Sequence, residues 1–424
     1  MHTARIRRIG IAAVAALSVF TLAACSNAPA AEYDPDEEIT LNFTWWGNED
    51  RASRYQQLMD KFTEQHPNIK IEGTFTDFAS YYEKRATEAA GGGLPDVMQF
   101  IDSYIGQYSE NGQLLDLNTM SDYIDFSTFD DLMLSMGRVG DKQLALPGGF
   151  NVWSMSSNKA LLAEYGLDEY EGGTSWEDYS AYMASVTEAT DGALYGGTDY
   201  TQRIQDFEVW LRQQGQELYE DGALGFTEDD LREFWQLGAA DRDGVTAPQN
   251  RLEEVAPQTG VAAKMTATEL AWSNAMVNYQ AESGSEEFSL IAPPTSDPNA
   301  KDLYRQGGNQ FAIAATTKHP EAAAMFVDYL VNSADAGAVF GTSTGFPAST
   351  SRLAGTKLEG ADLKVSQYLD SVADRIGPTP PIQNVPYGAL EAVFWDLGKS
   401  IGLGAISIDD AVQQFFDEAA VSLD

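Results

Sequence analysis

The stretch Lys142–Asn158, KQLALPGGFNVWSMSSN, decides the fold. Leu144 and Leu146 alternate with small or polar neighbours, as a strand requires. Pro147-Gly148-Gly149 interrupts the ladder, because proline has no amide hydrogen and glycine no side chain to pack. Val152–Ser157 is extended again. Two strands separated by such a break, with Phe150, Asn151 and Trp153 at the junction, predict a chain leaving one lobe and entering another through a hinge that lines a cleft. A hairpin loop around a core tryptophan fits the same residues equally well.

Working outward, 424 residues are more than one hydrophobic core normally serves, and a hydrophobic content of 43% is enough to fill two. Arg5, Arg7 and Arg8 precede an uncharged apolar run, Ile9–Ala24, which has the layout of a secretory signal and is short for a membrane span. Cys25 follows as the single cysteine of the chain, so an internal disulfide is impossible. The polar segment behind it, SNAPAAEYDPDEE (Ser26–Glu38), has the composition of a flexible spacer. Removal of residues 1–24 takes away three arginines and no acid, leaving 23 basic residues against 64 acidic ones, a balance of −41. Nucleic acid, which needs clustered basic charge, is thereby excluded as a partner.

From Ile39 the pattern is that of an α/β protein. Ile39, Leu41, Phe43 and Trp45 alternate as a strand, and Tyr55, Leu58, Met59 and Phe62 recur at helical spacing as far as His66-Pro67. Further strands are predicted over Ile69–Phe75 and Pro95–Phe100, with a helix over Tyr81–Ala90 between them, which implies a parallel sheet with helical crossovers. Beyond the hinge the chain is more helical. Thr174 and Glu177 fit a capping box for a helix reaching about Thr190, and helices are expected over Ile204–Gln214, Glu228–Arg242 and Thr268–Tyr279. Leu303–Ala315 repeats the grammar of the hinge: a Gly307-Gly308 break, an amide at Asn309 and a strand through Phe311 and Ile313. Helices over 320–332 and 334–340 precede a third break at Gly345-Phe346-Pro347, and the tail carries an apolar helical stripe through Ile408, Val412, Phe415, Phe416 and Ala419.

The residues leave little room for catalysis. Behind the leader only His66 and His319 remain, each directly before a proline at a helix boundary, so Ser-His or Cys-His chemistry and a histidine-bearing zinc site are excluded. The glycine runs 91–93 and 307–308 lack the spacing of phosphate loops and read as turns. A glycosidase pair among the many carboxylates stays open, because such pairs are recognised by separation in space. Aromatics are the positive signal: eight Trp and nineteen Tyr offer flat apolar faces of the kind that suit a sugar ring. Trp45 keeps the core parity of its strand, whereas Trp46 falls on the other face at the carboxyl end, where open α/β sheets bind ligands. Arg51, in the first turn of the following helix, is placed either for a ligand hydroxyl or for a surface ion pair. Asp102 and Tyr104 stand just beyond the strand ending at Phe100.

The ordered set W-W-G-x3-R (Trp45–Arg51), A-G-G-G-x-P-D-V (Ala90–Val97), P-G-G-F-N-V-W, T-S-W-E, M-x6-W (Met265–Trp272), G-G-N-Q-F-A-I and G-F-P resembles the carbohydrate branch of the family 1 extracellular solute-binding proteins of ABC importers. The resemblance spans nearly the whole chain behind the leader. Leu22-Ala23-Ala24-Cys25 resembles the lipobox of bacterial lipoproteins, which implies cleavage before Cys25 and its acylation. The family implies a two-lobed α/β fold of the periplasmic-binding-protein type (type II), lobes joined by hinge strands, and a cleft that closes on a sugar. By motif match it implies sugar contacts from Trp46, Asp102, Trp153, Trp272 and Asn309, with Tyr200, Trp210 and Phe346 beside them. Tyr387 is the one aromatic available where TPPIQNVPY (379–387) approaches a late helix. The expected organisation is a signal peptide over 1–24, a lipid-anchored tether over 25–38, a first lobe over 39–150 plus 312–345 and a second over 151–311 plus 346–424. The expected function is capture of an oligosaccharide for an ABC permease by a monomer, without cofactor or metal; a surface-anchored glycoside hydrolase is the alternative.

Overall fold

The computed structural model describes residues 33–380, 382 and 387–423. The leader, Cys25 and the tether as far as residue 32 lie outside the described residues, as do 381 and 383–386 in the proline-rich approach to the late helix. Regular structure starts with β1 (Ile39–Trp46), whose residues Leu41, Phe43 and Trp45 turn inward. Helix and strand then alternate through α1 (Glu49–Gln65), β2 (Ile69–Thr76), α2 (Phe78–Gly91), β3 (Val97–Phe100) and α3 (Asp102–Glu110). Asn48 and Asp77 cap α1 and α2 by accepting from backbone amides, which starts each helix directly beyond the carboxyl end of a strand. β1 pairs in parallel with β2 and with β3, as helical crossovers require.

The chain crosses out of this layer from β4 (Leu146–Asn151) into β5 (Trp153–Asn158). It continues through α4 (Trp176–Ala189), α5 (Ile204–Gln213), α6 (Glu228–Leu237), β6 (Thr268–Trp272), α7 (Ala275–Ser283) and β7 (Phe288–Ile291), and returns along β8 (Gln306–Ile313). Then come α8 (Pro320–Asn332), α9 (Ala334–Phe340), β9 (Phe346–Pro347), α10 (Thr350–Gly355), α11 (Gly360–Ser371), α12 (Tyr387–Gly402) and α13 (Ile408–Leu423). A six-stranded sheet in the order β9-β4-β8-β3-β1-β2 forms one lobe, and a three-stranded antiparallel sheet, β6-β5-β7, lies in the other. The first core joins Phe43 of β1 to Tyr55 of α1 and Phe326 of α8, at centroid distances of 5.1 and 5.3 Å. A second aromatic group, continuous with the first in one hydrophobic cluster, gathers Phe207, Phe234, Trp235, Phe394 and Phe415, with Phe207 and Phe234 5.0 Å apart and Trp235 5.2 Å from Phe394.

Several sequence expectations need correction. Pro147-Gly148-Gly149 is not a break: it lies inside β4, where Pro147 stands opposite Gln310 and the glycines admit close neighbours, an added Cβ at Gly149 falling 2.9 Å from the Gly345 carbonyl oxygen. The change of sheet comes at Val152 instead. Gly307-Gly308 likewise sits within β8, as a register irregularity. Residues 268–272 are a strand, held by pairing with β5, and the helix starts only at Ala275. The capping box of α4 is Ser175 with Asp178, one residue later than the sequence suggests, and α6 stops at Leu237. Residues 346–355, assigned to the second lobe, lie with the first: β9 hydrogen-bonds β4 and α10 packs on α9. The tether is docked from Tyr33, whose phenol oxygen accepts from Asn68 Nδ2 at 3.0 Å.

Candidate functional site

The carboxyl ends of β1 and β3, the junction of β4 with β5, the start of β8 and the helices α5 and α12 enclose a cavity of about 320 Å3, within the range of small-molecule sites. On the first-lobe side Trp46 lines it, held edge-on against Phe78 and Tyr81 at 5.6 and 5.5 Å. Its neighbour Trp45 is in the core, stacked on Phe43 at 4.9 Å. Arg51 folds back from α1 over the strand end, where Nη1 donates to the Trp46 carbonyl at 3.0 Å. Gly47 allows this: its φ is +154°, and a Cβ there would stand 2.7 Å from Arg51 Cδ. Burial lowers the Arg51 pKa. Asp102, the first residue of α3, accepts from the Gly307 amide at 3.0 Å and from Gln306 Nε2 at 3.4 Å, linking β3's end to β8.

The floor is amide-rich. Asn151, Gln99 and Asn309 line the cavity, each at least nine-tenths buried. Tyr55 holds the latter two from behind, its hydroxyl donating to Gln99 Oε1 at 3.0 Å and to Asn309 Oδ1 at 3.5 Å. Asn151 Oδ1 and Gln99 Nε2 find no hydrogen-bond partner among the described residues. An acceptor and a donor buried without partners are costly unless a ligand completes them.

The second-lobe wall adds an aromatic face and carboxylates. Trp272, at the end of β6, is half-buried and meets Trp153 and Tyr304 edge-on at 5.0 and 5.9 Å. Tyr304 donates its hydroxyl to Glu208 Oε2 at 2.8 Å, and burial pushes the Glu208 carboxyl up to about 7. Glu391 of α12 accepts from Gln205 Nε2 at 2.5 Å, and burial raises its pKa as well. Tyr387 stands beside them, 3.3 Å from Gln205 Nε2 through its hydroxyl. Glu217 also lines the cavity and pairs with Arg212 at 2.6 Å.

A family model described as bacterial extracellular solute-binding protein matches residues 57–362. The chain belongs to that family. Among solved structures, the extracellular solute-binding protein family 1 from Alicyclobacillus acidocaldarius subsp. acidocaldarius DSM 446 is 28% identical with a TM-score of 0.68, over 92% of this chain and 100% of that one. A periplasmic oligogalacturonide binding protein from Yersinia enterocolitica, in complex with saturated digalacturonic acid, superposes with a TM-score of 0.79 at 20% identity, over 91% and 99% of the two chains. An ABC substrate-binding protein from Listeria monocytogenes in complex with cycloalternan gives 0.75 at 15% identity, over 90% and 98%. The two-lobed α/β architecture of this solute-binding protein is the one these structures share.

Of the positions singled out from sequence, Trp46, Arg51, Asp102, Asn151, Trp272, Asn309 and Tyr387 line the cavity of the solute-binding protein. The others lie elsewhere. Trp153 is buried behind the wall, its indole nitrogen donating to Asp206 Oδ1 at 2.6 Å. Tyr200 packs on Trp176 at 4.7 Å and Trp210 on Phe234 at 5.8 Å, both inside the second core. Phe346 covers Phe150 at 5.7 Å, and Tyr104 stacks on Tyr82 at 3.7 Å beside the cavity. Sequence reasoning missed Gln99, Gln205, Glu208, Tyr304, Gln306 and Glu391. One of these had a signal: the stripe Ile204, Phe207, Leu211 makes the inner face of α5, so the charged Glu208 next to it must face a second enclosed space.

Proposed function

We propose that this solute-binding protein captures an oligosaccharide between its lobes and delivers it to the permease of an ABC importer, as a monomer and without catalysis. The carrying observation is the cavity itself, lined by the aromatic Trp46 and Trp272 together with the amides of Asn151 and Gln99. A pyranose presents an apolar face and a rim of hydroxyls that donate and accept at once, which matches both features. Acylation of Cys25 would hold the protein on the outer face of the cell membrane, with the lobes hinged about residues 151–153 and 303–306. A ligand at 100 times its dissociation constant adds about 2.7 kcal/mol of stability, so a thermal-shift panel of neutral and charged oligosaccharides tests the reading. The expected outcome is a raised melting temperature with one or more of them, recovered intact after incubation with catalytic amounts of protein. Trp272→Ala should keep the ligand-free melting temperature within a few degrees and weaken binding at least about tenfold. A panel without any shift, or cleaved sugar, overturns the proposal, cleavage favouring a glycoside hydrolase.

A further inference from the structure

The cavity is lopsided in charge. Among the described residues four carboxylates line it, Asp102, Glu208, Glu217 and Glu391, against one guanidinium, Arg51, which is already turned to the Trp46 carbonyl. Glu217 is compensated by Arg212. Glu208 and Glu391 instead receive hydrogen bonds from neutral groups, the Tyr304 hydroxyl and the Gln205 amide. The remaining guanidinium near them, Arg203, is committed to Glu269 at 3.1 Å and lies over the Trp395 ring at 4.8 Å. Carboxylates only accept hydrogen bonds when ionised, and each has about four acceptor positions, so these walls still demand donors. Asn151 and Gln99 line the same cavity, and Asn151 Oδ1 and Gln99 Nε2 have no hydrogen-bond partner among the described residues.

Resting on the saccharide reading above, we propose that the cleft selects its sugar by charge, admitting neutral and amino-bearing oligosaccharides and excluding those that carry a carboxylate or phosphate. Hydroxyls donate to Glu208 and Glu391 at little cost, and an ammonium gains from both. A uronate in the same place meets like charge in an enclosed, low-dielectric site. Burial raises the pKa of both Glu208 and Glu391, and the nearby charges of Arg212 and Arg203 only partly oppose it. The fold does not impose this selectivity, since the Yersinia enterocolitica protein of similar fold is in complex with saturated digalacturonic acid. It resides in side chains of α5 and α12.

The test is calorimetry on residues 25–424 at pH 8 with matched pairs: galacto-oligosaccharides against oligogalacturonates, and xylo-oligosaccharides against their glucuronic-acid-substituted forms. Like charges about 6 Å apart at an effective dielectric constant of about 20 cost about a hundredfold in affinity, so each uronate should bind about a hundredfold more weakly than its neutral partner. Glu208→Gln or Glu391→Gln, both isosteric, should narrow that gap about tenfold. A uronate that binds as tightly as its neutral partner, or more tightly, overturns charge selection and leaves the saccharide reading standing. If no member of any pair binds, both fall. A gap that persists unchanged in both variants removes these carboxylates as its cause.

Discussion

Trp153 and Asp206 show how a single buried contact couples the site to solution conditions. Asp206 is fully buried on α5, its Oδ1 accepts the indole proton of Trp153 at 2.6 Å, and burial outweighs that bond to push its pKa up to about 8. In the unfolded chain the same carboxyl titrates near about 3.9. The folded state therefore binds the proton more tightly, and the stability this group contributes is complete below about pH 4 and is lost as pH rises towards and through about 8. Asp206→Asn retains an acceptor for Trp153 and removes the titration. The melting temperature of wild type should fall more steeply than that of the variant between about pH 4 and 8, leaving the variant several degrees higher at pH 8. Parallel melting curves across that range would show that Asp206 does not titrate there. The role of Trp153 was not legible in its sequence position, because an aromatic at a lobe junction fits a cleft wall and a core equally well until Asp206, 53 residues on, is placed beneath it. Trp45 and Trp46 were separable, since strand pleating alone sends neighbours to opposite faces.

At the level of elements, the strands and helices with strong internal period were readable, and those defined by a distant partner were not. α8 and α9 follow from an apolar stripe, a proline at the first helical position and Ser333, which closes one helix and caps the next. Thr268–Trp272 is different: Leu270, Met276 and Val277 have helical spacing, but pairing with β5, more than a hundred residues earlier, overrides it. The start of α12 at Tyr387 was anticipated from 379–387, but its meeting with α3 across the cleft was not. A Cβ on Gly388 would stand 2.0 Å from the Tyr104 hydroxyl oxygen, and that ring is fixed by its stack on Tyr82. Gly388 thus lets the two lobes approach. Gly388→Ala should leave the ligand-free protein folded, with a normal melting temperature in an open form, yet weaken ligand binding about tenfold, since overpacking costs about 1–3 kcal/mol. Adding Tyr104→Ala should restore part of that loss. Binding unaffected by Gly388→Ala would mean that α3 and α12 do not need to meet for capture.

Among the described residues, three segments connect the two sheets: Asn151–Trp153, the approach to β8 at 303–306, and 356–359 between α10 and α11. Apart from these, polar links between the lobes are sparse, such as Asn274 Nδ2 to the Ser343 carbonyl at 3.4 Å and Arg305 to Asp130 at 3.7 Å. Partly exposed polar contacts of this kind each contribute little, about 1 kcal/mol or less. The cavity keeps four carboxylates and several amides between the lobes, so without ligand the enclosed arrangement brings partnerless buried groups and mutual repulsion together. Opening rehydrates them at the expense of those few contacts, while a sugar that donates to the carboxylates and completes Asn151 and Gln99 removes the penalty for closing. The expected motion is a rigid-body hinge about the connecting segments. Small-angle scattering of residues 25–424 should therefore show a smaller radius of gyration when a binding oligosaccharide is added, with an unchanged far-ultraviolet circular dichroism spectrum. Scattering profiles that overlay with and without a sugar already shown to bind would mean that the lobes stand closed before the ligand arrives, and a changed dichroism spectrum would replace the hinge with local refolding.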